Sequence, residues 1–475
     1  MSIKEQATKS VFWSAIERFS VQGAQFILTI IIARILSPGD YGLIAMLGIF
    51  MALSQVLIDS GFASALVQKQ ERTEIDYSTA FHFNAFGSLL IYIILYLLAP
   101  YIARFFEEPQ LTNVARVLGL NLIIMSLGIV QQAKLTIALD FKRQAIASLV
   151  AVIISGGVGV WMAYNGYGVW TLVFQSIINN FFRVFFLWIF SKWLPCLKFS
   201  YQSFHSLFRF GSKLMMTGLL HELYSNLYSL VIGKFFSTSD LGYYNRAYTL
   251  AQFPSANIAN ILVRAIYPIQ CRYQDDTEQL RSMFMKYLKM SCYVIFPFMV
   301  TLFVLAEPLV EIVLTEKWLP IVPLLRILCV AFMWDPVMKI NNSILSVKGR
   351  TDYSLKAEVI KKIIALVLLF ASIPLGIIAM CCSLILYALV DVLVVIYYSR
   401  KVLGVGYRLQ FMGLLPIICI NIGMGLFMYG ITFTHLSVSV ELILSLICGW
   451  SLYLFLSWTF RMEEWQMVLS MIKRK

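Results

Sequence analysis

Apolar residues in this chain come in runs rather than in alternation. Fourteen such runs stand out, at about 11–33, 41–66, 78–100, 111–137, 144–164, 167–190, 209–233, 243–267, 287–306, 320–346, 357–373, 376–397, 409–430 and 438–460. Each is near the ~20 residues that a helix needs to cross a ~30 Å hydrocarbon core. Only helices and closed barrels satisfy the backbone in lipid, and period-two alternation of the barrel kind is missing here. The pattern predicts an all-α polytopic membrane protein of about fourteen transmembrane helices. The tightest connections are YNGYG (164–168) and IPLG (373–376).

A second regularity sits on top of the first. ARILSPGDYGL (33–43) and GKFFSTSDLGY (233–243) share a pattern of small, basic and apolar residues, then Ser, Asp and Gly, at an interval of 200. LLAPYIARFF (97–106) answers LAEPLVEIVL (305–314), and ARVLGL (115–120) answers LRILCV (325–330). Six spans therefore match six spans. An even number preserves orientation, so the repeats are parallel about an axis along the membrane normal. The division this predicts is 1–200 for a first six-helix lobe, 201–400 for a second, and 401–475 for helices 13 and 14 with a tail. Repeats of this kind mark secondary transporters. Duplication within a channel or membrane enzyme is the alternative. In each corner phrase, Ser can cap a turn, Asp can sit at the next helix N-terminus and Gly permits close packing.

Polar positions inside the spans carry the candidate chemistry, because such residues are costly in lipid and usually face an interior cavity. In span 1, Ser14, Arg18, Gln22, Gln25 and Thr29 form one helical stripe bordered by Glu17. In span 7, Gly218, Glu222, Ser225 and Ser229 hold the corresponding positions. Span 8 places Arg246, Thr249, Phe253, Asn257, Asn260 and Arg264 on one face, with Pro254 expected to break the helix midway. Span 10 carries Asp335 and Lys339 four apart, where they can neutralise each other. Asp59, Arg116, Arg183 and Asp391 are single intramembrane charges; Arg116 and Arg183 lie near span ends and are candidates to snorkel. Lys361 and Lys362 read as interfacial anchors. Hydrogen bonding between packed helices is the plainer reading for the Ser and Thr positions.

Composition narrows the function. The 475 residues are 60% hydrophobic and 13% charged, with a net charge of +13. The basic residues crowd the loops on the side of the termini, among them Lys69, Arg72, Lys142, Arg143, Lys192, Lys348, Arg350 and Arg400. The opposite loops hold Arg34, Arg104, Lys234 and Lys317 beside several acids. Both termini are therefore expected to be cytoplasmic, and the charge is topological bias rather than a nucleic-acid footprint. No cleaved signal peptide is expected, and the eight cysteines read as packing residues. No connection is long enough for a soluble catalytic domain and no GxxxxGK[ST] loop occurs, so neither an enzyme nor an ATPase is expected. No metal or cofactor is expected. The Arg-bearing stripes suit an anionic amphiphile, since guanidinium binds phosphate in bidentate geometry.

Several phrases in order resemble one family. ARILSPGDYGLIAM, DSGFASALVQKQERTEIDYSTAFHFN, LDFKRQA (139–145), YNRAYTLAQFP (244–254), YPIQCRYQDD (267–276) and AEPLVEIVLTEKWLPIVPLLRIL (306–328) look like the polysaccharide-transporter family. That family lies in the multidrug/oligosaccharidyl-lipid/polysaccharide exporter superfamily, and the resemblance is to its colanic-acid exporter type. It implies a V-shaped, two-lobed fold with a central cationic cavity in the bacterial inner membrane. It also implies flipping of a polyprenyl-pyrophosphate-linked oligosaccharide to the outer leaflet, for lipopolysaccharide or exopolysaccharide synthesis. By that analogy Arg18, Arg246 and Arg264 are candidates for the pyrophosphate, and Gln22, Gln25, Asn257 and Asn260 for the glycan. Glu17, Glu222, Asp59 and Asp335 are candidates to bind a coupling H⁺ or Na⁺. Membrane lipids and polysaccharide polymerase machinery are the expected partners. In this family the stretch resembles NLDNLLIGR where this chain reads NLYSLVIGK (226–234), so Tyr228 stands where an acidic residue is common, which leaves Glu222 as the alternative. The rival readings are a multidrug or cation antiporter, a membrane glycan ligase or glycosyltransferase, and a scaffold.

Overall fold

The computed structural model describes residues 21–69, 71–434 and 437–467, without the side chains of residues 261, 262, 264, 265, 268 and 351. Among the described residues every regular element is helical. The first described helix is α1, Val21–Ile35. There follow α2 (Pro38–Asp59), α3 (Phe62–Gln68), α4 (Glu74–Phe106), α5 (Leu111–Leu118), α6 (Leu120–Ser126), α7 (Ile129–Ile137), α8 (Phe141–Tyr164), α9 (Val169–Ser191), α10 (Tyr201–Ser225) and α11 (Leu227–Phe235). Then come α12 (Thr238–Arg272), α13 (Thr277–Val304), α14 (Ala306–Leu314), α15 (Ile321–Phe332), α16 (Asp335–Val347), α17 (Thr351–Ser372), α18 (Ile377–Leu403), α19 (Tyr407–Thr432) and α20 (Val438–Thr459). Ten helices or helix runs among the described residues are long and apolar enough to cross a membrane. Among the other predicted spans, α12 carries Asn245, Arg246, Asn257 and Arg264, and α17 carries Glu358, Lys361 and Lys362.

Four predicted spans are interrupted rather than continuous. Span 41–66 breaks at Ser60 and Gly61, both left-handed with φ 45° and 70°. Span 111–137 breaks at Gly119 and at Leu127–Gly128, 209–233 at Asn226, and 320–346 at Met333–Trp334. Pro254 has the opposite outcome, because α12 runs through it without a break. A proline removes one backbone donor, and a membrane helix tolerates that loss when neighbouring groups serve the freed carbonyl. YNGYG and IPLG are tight connections as expected, with positive φ at Gly166, Gly168 and Gly376.

The described chain packs as two compact units, Met1–Gly242 and Tyr243–Lys475. In the first, Phe62, Leu66, Tyr77, Phe81, Val130 and Trp193 form a buried core where α3, α4 and α7 meet the segment after α9. The break at Gly61 lets two backbones touch: a Cβ there would lie 2.7 Å from the Gly211 carbonyl oxygen on α10. A non-glycine residue at this left-handed position would also be strained.

The two corner phrases meet inside this unit. Ser37 caps α2, its hydroxyl accepting from the Asp40 N–H at 3.2 Å while the Asp40 carboxylate accepts from the Ser37 N–H at 3.0 Å. Ser237 and Asp240 repeat the arrangement at the start of α12, at 3.1 and 3.2 Å. A Cβ on Gly42 would run into the Thr238 carbonyl, and one on Gly242 into the Pro38 carbonyl. Each corner thus presents a glycine to the backbone of the other, which accounts for the shared spelling.

In the second unit the core joins α13, α16, α18, α19 and α20 through Phe284, Phe296, Ile344, Ile396, Met424 and Tyr453. A buried polar knot ties α16, α18 and α19. Asn341 Nδ2 donates to Gln410 Oε1 at 2.9 Å, Gln410 Nε2 donates back to Asn341 Oδ1 at 3.0 Å, and Ser399 Oγ donates to Asn341 Oδ1 at 2.6 Å. Such closed networks fix helix register where no water competes. Lys361 is no interfacial anchor. It is only 4% exposed, 3.1 Å from Asp391 on α18 and 2.6 Å from Glu358 on its own helix. The anchor reading followed from the adjacent Lys361–Lys362 pair, whereas the helix turns one of the two ammonium groups inward onto a carboxylate.

Candidate functional site

The predicted stripe residues separate. Arg18 and Glu17 lie outside the described residues, as does the side chain of Arg264. On α1, Gln22 is half-buried and Gln25 exposed. On α12, Asn260 is exposed, and Asn257 donates its amide to the Phe253 carbonyl at 2.9 Å, one turn back. Arg246 is buried near the start of α12, its guanidinium carbon 5.5 Å from the centre of the Trp318 ring. A guanidinium over an indole face is held by the ring quadrupole while its edge donors keep their directions.

The candidate acids take different settings. Glu222 accepts from the Asn226 side chain at 3.0 Å. Asp335 accepts from Ser255 Oγ at 2.8 Å and lies 3.8 Å from Lys339, so the expected i,i+4 neutralisation is joined by a hydroxyl from α12. Asp59 ends α2 and makes no ion pair among the described residues; its Oδ1 is buried there without a hydrogen-bond partner. One turn back, Gln55 Oε1 is in the same condition.

Asp59 borders a cavity of about 540 Å³ inside the first unit. The cavity lies between the α2–α3 break, the α6–α7 run and α9. Its polar lining comes from Gln55, Asp59, Ser64, Gln68, Gln132, Thr136, Asn180 and Arg183, and its apolar lining includes Met125, Ile129, Val184 and Leu187. Arg183 Nη2 donates to Gln132 Oε1 at 3.0 Å. Asn180 donates to Asn121 at 2.9 Å, and Asn121 donates to Ser176 at 3.1 Å, so the wall continues as a polar seam between α6 and α9. The local sequence explains the wall: Asn180 and Arg183 are three apart on α9, and Gln132 and Thr136 four apart on α7, so each pair shares a helical face. Arg183 is therefore a wall residue rather than a snorkelling one. Sequence reasoning singled out Asp59 and Arg183 separately and missed Gln132 and Asn180. The available signal was two faces of polar residues in spans 4 and 6 with matching phase.

Two ion pairs lie outside the spans at Glu107 and Asp352. Lys234 donates to Glu107 at 2.8 Å and holds that carboxyl below the usual range. Arg350 grips Asp352 with two donors at 2.9 Å, which lowers the carboxyl to about 2. No group of three or more His, Cys, Asp or Glu converges as a metal site among the described residues.

Against known proteins, a family model described as polysaccharide biosynthesis protein matches residues 31–323. The lipopolysaccharide biosynthesis protein WzxC of Escherichia coli (strain K12) is 26% identical over 441 residues, covering 90% of each chain. The teichuronic acid biosynthesis protein TuaB of Bacillus subtilis (strain 168) is 24% identical over 462 residues, covering 96% of each. Among solved structures, the lipid II flippase MurJ in its inward-closed conformation superimposes with a TM-score of 0.78 at 16% identity, over 95% of this chain and 98% of that one. That likeness shows a shared fold.

Proposed function

The chain belongs to the polysaccharide biosynthesis protein family, and on that premise we propose that it is a flippase for polyprenyl-pyrophosphate-linked oligosaccharide. It carries the head group from the cytoplasmic to the outer leaflet of the bacterial inner membrane by alternating access, while the polyprenyl tail stays in lipid. It acts through about fourteen spans with both termini cytoplasmic, and it makes and breaks no covalent bond. Arg246, with Arg18 and Arg264, is our candidate for the pyrophosphate, and Asp59, Glu222 and Asp335 are candidates for a coupling H⁺ or Na⁺. Delivery to polymerase machinery is part of the same reading.

The observation that carries the reading, beside the family, is the charged and amide-lined cavity inside an otherwise apolar helical unit. Intramembrane charges around a void mark a path for a polar cargo. A multidrug cation antiporter suits it less well: the lining holds a guanidinium, Arg183, as well as the Asp59 carboxylate, and no lining residue is aromatic. The test is reconstitution into vesicles whose inner leaflet holds a labelled lipid-linked oligosaccharide. The glycan should become accessible to an impermeant lectin, and Arg246→Gln should slow this about tenfold or more, the effect of losing a charge-assisted hydrogen bond. Accessibility no greater than in protein-free vesicles would sink the proposal.

A further inference from the structure

Resting on the flippase reading, we infer that the cavity of the first unit is a subsite for a neutral saccharide. The cavity volume of about 540 Å³ falls in the ~300–1,000 Å³ range of small-molecule sites. Its wall interleaves acceptors and donors. Asp59 and Gln68 offer acceptor oxygens; Arg183, Asn180 and Gln132 offer N–H groups. A sugar hydroxyl both donates and accepts, so it uses such a mixture fully, whereas an isolated ion uses half of it. One carboxylate and one guanidinium also leave the lining without a net formal charge, which favours a neutral ligand over a bare anion or cation. The apolar remainder can cover the C–H face of a ring, as small-molecule sites usually do.

The mouth lies where the reading requires it. Ser64 and Gln68 on α3 and Gln132 on α7 are exposed, and α3 ends beside Lys69, on the side where basic loops predict the cytoplasm. The unsatisfied Asp59 Oδ1 and Gln55 Oε1 lie one turn apart behind this wall. Buried acceptors without donors are costly, and a polyol in the cavity supplies O–H groups to that wall. In the sequence these residues belong to three spans, so no single stripe displayed them together.

The experiment is saturation-transfer NMR on the full chain in lipid nanodiscs, with lactose as the neutral probe and glucuronate and choline as charged ones. Lactose should receive saturation, and more strongly than either charged probe. Asp59→Asn should weaken lactose binding about tenfold or more, the loss expected for a hydrogen bond to a charged acceptor. Ser64→Trp, at an exposed position, should block it without burdening the core, and Arg350→Gln should leave it unchanged. Thermal unfolding of each variant separates loss of binding from loss of fold. Lactose binding that survives both Asp59→Asn and Ser64→Trp, or a preference for either charged probe, would overturn the inference. Parallel vesicles report the flippase reading itself: flipping by the wild type without lactose binding sinks only the subsite, and absence of flipping sinks the reading beneath it.

Discussion

Replacing Lys361 with Met removes an ammonium group while keeping most of its stem, and the consequence is calculable. Lys361 and Asp391 are 4% and 9% exposed, and the charged atoms are 3.1 Å apart. At an effective dielectric of ~20 their attraction is ~5 kcal/mol, much of it offset by desolvation of both groups. Removing one partner is a different matter, because the remaining charge keeps its desolvation cost and loses its compensation, at ~3–5 kcal/mol. With ~2–4 °C per kcal/mol for a domain of 150–250 residues, Lys361→Met should lower the unfolding midpoint by ~6–20 °C. The double variant Lys361→Met/Asp391→Leu should recover most of this loss, since replacing a buried pair by apolar groups is often neutral or stabilising and the second partner of Lys361, Glu358, is 40% exposed and keeps water. The assay is fluorescence-detected thermal unfolding of the purified protein in one detergent, with all four members of the cycle on the same day. A single variant within ~2 °C of wild type, or a double variant that is worse than the single, would refute the argument that this pair is buried and mutually dependent.

Three further outcomes follow from other parts of the fold. Gly242→Val should destabilise the corner contact by roughly 1–3 kcal/mol, because its Cβ meets the immobile Pro38 carbonyl; Gly430→Val, with open space around the glycine, is the control, and equal midpoints for the two would contradict the contact. Ser37→Ala and Ser237→Ala should each cost ~1 kcal/mol and agree closely, since both serines cap in the same way, which parallel unfolding curves can check. For Asp352, whose carboxyl is lowered to about 2 by Arg350, the contribution to stability is fully present above the ~3.9 of an unfolded aspartate and is lost as pH falls through 2. The difference between wild type and Asp352→Asn should therefore shrink on acidification below about 4; a difference that grows on acidification would reverse the sign.

The legible part of this protein was local. Serine caps, turn glycines and apolar runs act over a few residues, so SPGD at 37–40 and STSD at 237–240 could be read as helix starts before any packing was known. The interval of 200 paired those corners, but their reciprocal glycine contacts are a matter of two backbones meeting in space. Lys361 was misread because its partner Asp391 lies on the next helix, and hydropathy along α17 contains no information about α18. The breaks at Ser60–Gly61 and Leu127–Gly128 were equally invisible, since apolar composition in lipid is satisfied by a continuous helix as well as by an interrupted one.

By itself, then, the amino-acid order determined that the chain is helical and polytopic, because the bilayer forces every backbone group to be satisfied within helices. Tertiary structure alone decided which polar faces converge. Asp59, Gln132, Asn180 and Arg183 have their positions within each helix set by the 3.6-residue repeat. Their meeting around one cavity depends on the rotation and crossing of separate helices, and those are settled by side-chain packing across the whole unit.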